Sequence, residues 1–164
     1  MKKIAIAVLL SAFVAAPAVA ADVYAGINVG SAQIDSPGFD SSNSFALIGG
    51  YSVNENFAAE IAYSNFGSES GGGITSKSSA MSISGVGSLP INEQFSLFGK
   101  LGFATTTLEI LWFSESNSDL TFGFGGQFNI DKQIGIRVGY DVYKVGSAPS
   151  VDQEVVSVGG VFKF

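Results

Sequence analysis

Eight segments of this chain alternate, residue by residue, between apolar side chains and small or polar ones. A period of two puts successive side chains on opposite faces of an extended strand. A helix would need its apolar positions to recur every three or four residues. The stretch QIGIRVGYDVYK shows the pattern most clearly. Ile134, Ile136, Val138, Tyr140 and Val142 fall on one face, and Gly135, Arg137, Gly139, Asp141 and Tyr143 on the other. In LTFGFGGQFNI the apolar face is Leu120, Phe122, Phe124, Phe128 and Ile130, interrupted by Gly126. The segments DVYAGINVGS, SFALIGGYSV, NFAAEIAYSN, AMSISGVGSL and QFSLFGKLGFAT repeat it, and VVSVGGVFKF carries it to the last residue, Phe164. The expected fold is therefore all-β, with eight strands of about ten residues each. That length, tilted by ~45°, is what a β-strand needs to cross a bilayer.

The connections sharpen this reading. Three are short: Asn54-Glu55-Asn56, Pro90 to Glu93, and Asp131-Lys132. Four are expected to be long and polar: AQIDSPGFDSS, GSESGGGITSK, a region near SESNS, and VGSAPSVD. Long and short connections alternate along the chain. Antiparallel transmembrane barrels have this asymmetry, with short turns at one rim and longer loops at the other. An even strand number returns both termini to the same rim.

The charges show which face is which. Within the strand centres the apolar faces hold no Asp, Glu, Lys or Arg, whereas Glu60, Lys100, Arg137 and Asp141 lie on the opposite faces. A soluble barrel would turn the apolar faces inward, and a barrel in lipid turns them outward. Eight strands enclose only enough space for side chains to fill. A Gly/Ser/Thr/Asn face fits that space, and a Phe-rich face crowds it. The sequence thus predicts a closed eight-stranded antiparallel up-and-down transmembrane β-barrel. Closure leaves no unpaired backbone edge in lipid. Phe45, Tyr51, Phe57, Phe95, Phe128 and Tyr140, near strand ends, fit interfacial aromatic girdles.

The N-terminus carries a different pattern. Lys2 and Lys3 precede an apolar run from Ile4 to Val14, and Ala18 and Ala20 occupy the −3 and −1 positions of a cleavage site. This is a secretory leader, too short for a membrane span. The expected division is a signal peptide over residues 1–20 and a barrel domain over 21–164. Loss of Lys2 and Lys3 leaves 6 bases against 14 acids, a formal charge of −8. An acidic chain with no basic stripe is not expected to bind nucleic acid. There is no Cys and no His, which removes disulfides, thiol chemistry, the commonest general base and the commonest metal ligand. No catalytic residue, cofactor or metal site is expected.

With its leader, its alternating connections and the terminal VVSVGGVFKF, the sequence resembles the OmpA-like family of eight-stranded outer-membrane barrels, which includes opacity-type surface proteins. The resemblance spans about Asp22 to Phe164. It implies residence in the outer membrane as a monomer, contact with lipid and lipopolysaccharide, and handling by the barrel-assembly machinery. In that family the C-terminal aromatic strand is the assembly signal, which maps here to Phe162 and Phe164. The family also places a glutamate on the third strand against an arginine on the seventh, with a lysine on the fifth. Glu60, Arg137 and Lys100 match those strand positions, and Asp141 stands in for the family's acidic residue on the sixth strand, where this chain has Gln127 and Asn129. The resemblance leaves no room for the peptidoglycan-binding domain of some members. It implies a structural or surface role with a filled lumen and at most a minor pore. The alternative is an adhesin or ligand-binding protein acting through its loops. Barrel enzymes of this size depend on a catalytic His, so an enzyme is not expected. The segment LEILWF is read either as a strand extension with Trp112 in the aromatic belt or as an apolar contact site.

Overall fold

The computed structural model describes residues 23–34, 41–71, 74–110, 113–145 and 151–164. Residues 1–22, which include the expected signal peptide, and residues 35–40, 72–73, 111–112 and 146–150 lie outside the described residues, and with them Trp112 and most of AQIDSPGFDSS and VGSAPSVD. Eight strands appear in order: β1 (Val23–Ile34), β2 (Ser42–Ser52), β3 (Phe57–Gly71), β4 (Ile74–Pro90), β5 (Phe95–Ile110), β6 (Phe113–Asn129), β7 (Ile134–Val145) and β8 (Val151–Lys163). Each pairs antiparallel with its sequence neighbours, and β1 pairs with β8 to close the barrel. At the closure Ala25 stands opposite Phe162, and the Phe164 amide donates to the Val23 carbonyl at 3.0 Å.

The period-two alternation decides the two faces as the sequence predicts. Ile27, Ile83, Leu101, Phe103, Phe122, Phe124, Val138 and Val158 are exposed on the outer wall. Glu60, Arg137 and Asp141 are buried inside. Val142 departs from the rule. It has the parity of the outer face but is only 6% exposed, in register with Phe122 and Glu154.

The short turns share one construction. Asn54 Oδ1 accepts from the Asn56 and Phe57 amides at 2.9 Å each, and Asn92 Oδ1 accepts from Gln94 and Phe95. Asp131 Oδ1 does the same for Gln133 and Ile134. An Asx side chain accepting amides two and three residues on mimics a backbone turn and fixes the hairpin register.

The opposite rim differs from expectation. GSESGGGITSK and the SESNS region, read as long loops, are largely strand. The β3–β4 ladder continues to Gly71 opposite Ile74, and the β5–β6 ladder to Ile110 opposite Phe113. Strands β3 to β6 are 15, 17, 16 and 17 residues long, rather than about ten. Roughly 9–11 residues suffice to cross the membrane, so these four stand well beyond it. Past the lipid the outer face meets water instead of hydrocarbon, so no apolar alternation marks the strand in the sequence. Cross-strand hydroxyl pairs line it instead: Thr105 Oγ1 with Ser118 Oγ at 2.8 Å and Thr107 Oγ1 with Ser116 Oγ at 3.1 Å.

Candidate functional site

The lumen is where chemistry-bearing residues meet. Glu60 comes from β3, Lys100 from β5, and Arg137 and Asp141 from β7, all projecting inward from alternate strand positions. Arg137 Nη1 donates to Glu60 Oε2 at 2.7 Å. Tyr24 Oη donates to the same oxygen at 2.9 Å. Lys100 Nζ lies 2.8 Å from Asp141 Oδ1 and 3.9 Å from Glu60 Oε1. All four charges predicted from the sequence thus form one network, with Glu60 between the two cations. Asp141 is the partner of Lys100. The sixth strand contributes a neutral group instead: Arg137 Nε donates to Gln127 Oε1 at 3.3 Å, and Gln127 Nε2 donates to Asn129 Oδ1 at 2.8 Å.

Close approach across β6 depends on one small residue. A Cβ on Gly123 would sit 2.0 Å from Asp141 Oδ1 and 2.9 Å from Lys100 Cε. A side chain at this position would push the second ion pair apart.

Aromatic rings complete the interior, and the sequence reading missed three of them. The Arg137 guanidinium lies 4.6 Å from the centre of the Phe98 ring and 5.7 Å from that of Tyr24. Both contacts are within the range of cation–π attraction. Phe66, 1% exposed, packs on Tyr143. Alternation gave Tyr143 its inward place. It could have done so for Tyr24, Phe66 and Phe98 too, but these fell outside the apolar sets that defined the outer wall.

Two apolar clusters share the lumen with the charges. Ala32, Phe66, Ala80, Ala104, Tyr143 and Val155 pack together toward the long-strand rim. Tyr24, Ile48, Ala62 and Val161 pack around the Glu60–Arg137 pair, to which Tyr24 is bonded. The lumen is therefore filled at two levels: an apolar plug toward the long-strand rim, and a layer in which the ion pairs are interleaved with apolar side chains.

A match to the outer membrane protein beta-barrel domain runs over residues 5–164. The chain belongs to that family. Three solved structures show the same architecture. Ail of Yersinia pestis, the attachment invasion locus protein, in complex with the heparin analogue sucrose octasulfate, is 22% identical with a TM-score of 0.63; the match covers 87% of this chain and 97% of Ail. Neisserial surface protein A (NspA) is 14% identical with a TM-score of 0.64, covering 87% and 96%. The N-terminal β-barrel of Pseudomonas aeruginosa OprF is 10% identical with a TM-score of 0.58, covering 85% and 97%. At such identities the likeness is one of fold. No curated protein matches the sequence. Membership of this family places the protein in the outer membrane.

Two further predicted residues lie away from the lumen. Phe162 and Phe164 are 42% and 45% exposed on the outer wall, with ring centres 5.2 Å apart at 79°.

Proposed function

We propose that this protein is a structural component of the outer-membrane surface whose lumen is closed at rest. The observation that carries the reading is the filling of the lumen by an apolar plug and by a layer of interleaved ion pairs and apolar side chains. An ion crossing it would have to displace the Phe66–Tyr143 pair, separate Arg137 from Glu60, and pass the cluster around Ile48 and Val161. Opening the ion pairs alone leaves the Phe66–Tyr143 plug standing. On this reading the leader is cleaved before Ala21, Phe162 and Phe164 tag the chain for the barrel-assembly machinery, and no reaction is catalysed.

Conductance in planar bilayers tests it. Wild type and Arg137→Ala should both be closed for most of the record, and Phe66→Ala combined with Arg137→Ala should conduct more than either single variant. Sustained channels in the wild type would refute a closed lumen.

A surface-binding role is the second reading, favoured by the length of β3 to β6. The residues they carry define what could bind. Among the described side chains, the long-strand rim holds Asp119, Asp152 and Glu154 against Lys144. Such a surface repels polyanions. Binding here would therefore favour neutral or cationic partners over sulfated glycans, and a host-cell attachment assay with and without heparin separates the two.

A further inference from the structure

A cavity of about 20 Å³ lies between the two apolar clusters. Its wall takes Phe66, Tyr143 and Val155 from one cluster and Ile48 and Ala62 from the other. Asn28, Ser157, Ser44, Lys100 and Asp141 supply polar wall. Two of these side chains end in atoms with no hydrogen-bond partner in the protein: Asn28 Oδ1 and Ser157 Oγ. Their residues are 5% and 7% exposed. Buried polar atoms in native proteins are paired, with protein or with ordered water. The two residues sit on adjacent strands at the barrel closure, where Asn28 is opposite Gly159 and Ser157 opposite Gly30. Ser157 Oγ and Asp141 Oδ2 also converge. Both lie within 4 Å of the point where a Cβ on Gly139 would stand, at 3.7 and 3.9 Å.

We propose that this cavity is an internal water site, in which one water donates to Asn28 Oδ1 and shares a hydrogen bond with Ser157 Oγ, beside the Lys100–Asp141 pair. The volume suits it, since a single water needs at least ~10–15 Å³ and two to four polar partners. The chemistry selects a neutral donor. A cation would face the Lys100 ammonium, and an anion would face the Asp141 carboxylate and the Asn28 carbonyl oxygen. The site divides the charge network in two. Lys100 and Asp141 line the cavity and share its water, whereas Arg137 and Glu60 lie outside its wall, with the guanidinium held between Phe98 and Tyr24.

Water-to-protein NMR transfer on the isotope-labelled protein, folded in lipid nanodiscs, tests the site. The Asn28 side-chain amide and the Ser157 backbone amide should show cross-peaks with the sign of a long-resident water. In Ser157→Ala the Asn28 cross-peak should survive, which excludes transfer from the serine hydroxyl. In Asn28→Leu, which removes the acceptor and fills the cavity, the Ser157 cross-peak should vanish. Should that variant fail to assemble, Ser44→Leu fills the same space from β2 and should have the same effect. In Phe66→Ala the residence time should shorten, because a wall of the cavity is gone. Absence of a long-resident water at both residues in the wild type overturns the proposal. So does a Ser157 signal that persists in both filled variants, or a direct hydrogen bond detected between Asn28 and Ser157.

Discussion

Phe66 of β3 and Tyr143 of β7 stack across the lumen with ring centres 5.0 Å apart at an angle of 58°. Alternation from Glu60 through Ala62 and Ser64 brings Phe66 there, and a local distortion begins beside it. The β3–β4 register slips between Asn65 and Ser68, so that Phe66 and Gly67 together face Ser78. This is a β-bulge, which bends the strand. Gly67 takes φ of 78°, its amide donates to Asn65 Oδ1 at 2.9 Å, and Ser42 Oγ donates to the Phe66 carbonyl. Tyr143 Oη is in turn 3.3 Å from Ser64 Oγ.

Phe66→Ala should therefore destabilise the folded barrel by about 3–5 kcal/mol, the usual cost of deleting a buried phenyl ring. Gly67→Ala should also destabilise, because the new Cβ would meet the Asn43 carbonyl at 2.5 Å in a conformation few L-residues adopt. Denaturant titration of the protein refolded into vesicles measures both. A loss below 1 kcal/mol for Phe66→Ala would mean that the ring fills no essential space.

The two ion pairs should differ in strength. Arg137 and Glu60 are buried, at 6% and 3% exposure, and hydrogen-bonded on several sides. Removing one partner strands the other, at a cost of ~3–5 kcal/mol. A double-mutant cycle on Glu60→Ala and Arg137→Ala should show coupling at the upper end of the ~0.5–3 kcal/mol range for contacting residues. The cycle on Lys100→Ala and Asp141→Ala should give less, because the Lys100 side chain is 12% exposed and the pair borders the cavity. Equal coupling in the two cycles would contradict the division between a dry pair and a hydrated one.

Which of these features the sequence made legible follows from where the chain meets lipid. Inside the membrane each residue faces either hydrocarbon or a narrow polar lumen, so the contrast between Val138 and Arg137 is written in every strand. That contrast sufficed for the strand number, the faces and the strand positions of the four charges. Beyond the membrane the contrast disappears, so Thr107 and Ser116 look like loop residues although they pair across a ladder. The inward rings were hidden for a third reason. Alternation states which way Phe98 points, but not that Gly125 opposite leaves space for it: a Cβ there would meet the ring at 2.6 Å. The partner of Lys100 also had to await the fold, since Asp141 lies forty-one positions further along the chain and two strands away.

Val138 tests the outer wall. It stands mid-strand on β7, 52% exposed, next to inward-facing Arg137 and Gly139. Val138→Arg should cost about 2–4 kcal/mol, the penalty for a base near the bilayer midplane. Val138→Leu should be nearly neutral. A polar fluorophore attached at position 138 should report an apolar environment and be quenched by labelled acyl chains. Quenching by an aqueous quencher instead would mean that the faces are inverted.

The last prediction separates folding from assembly at the C-terminus. Phe164 follows β8, its amide tied to the Val23 carbonyl and its ring edge-on to Phe162 at the outer wall. The ring is 45% exposed, so little of the barrel's own packing depends on it. Phe164→Asp should therefore cost only about 0.5–1 kcal/mol in the refolded protein, on the scale of substitutions away from a core. Insertion in cells should suffer far more, because an assembly machinery reading the terminal strand would meet a charge where it needs a ring. The comparison is made by heat-shifted gel mobility, applied to purified protein refolded in detergent and to outer-membrane fractions. Loss of the folded band in cells with its retention in detergent would support Phe162 and Phe164 as the assembly signal. Equal losses in both would make them ordinary wall residues, and unchanged insertion in cells would remove them from assembly altogether.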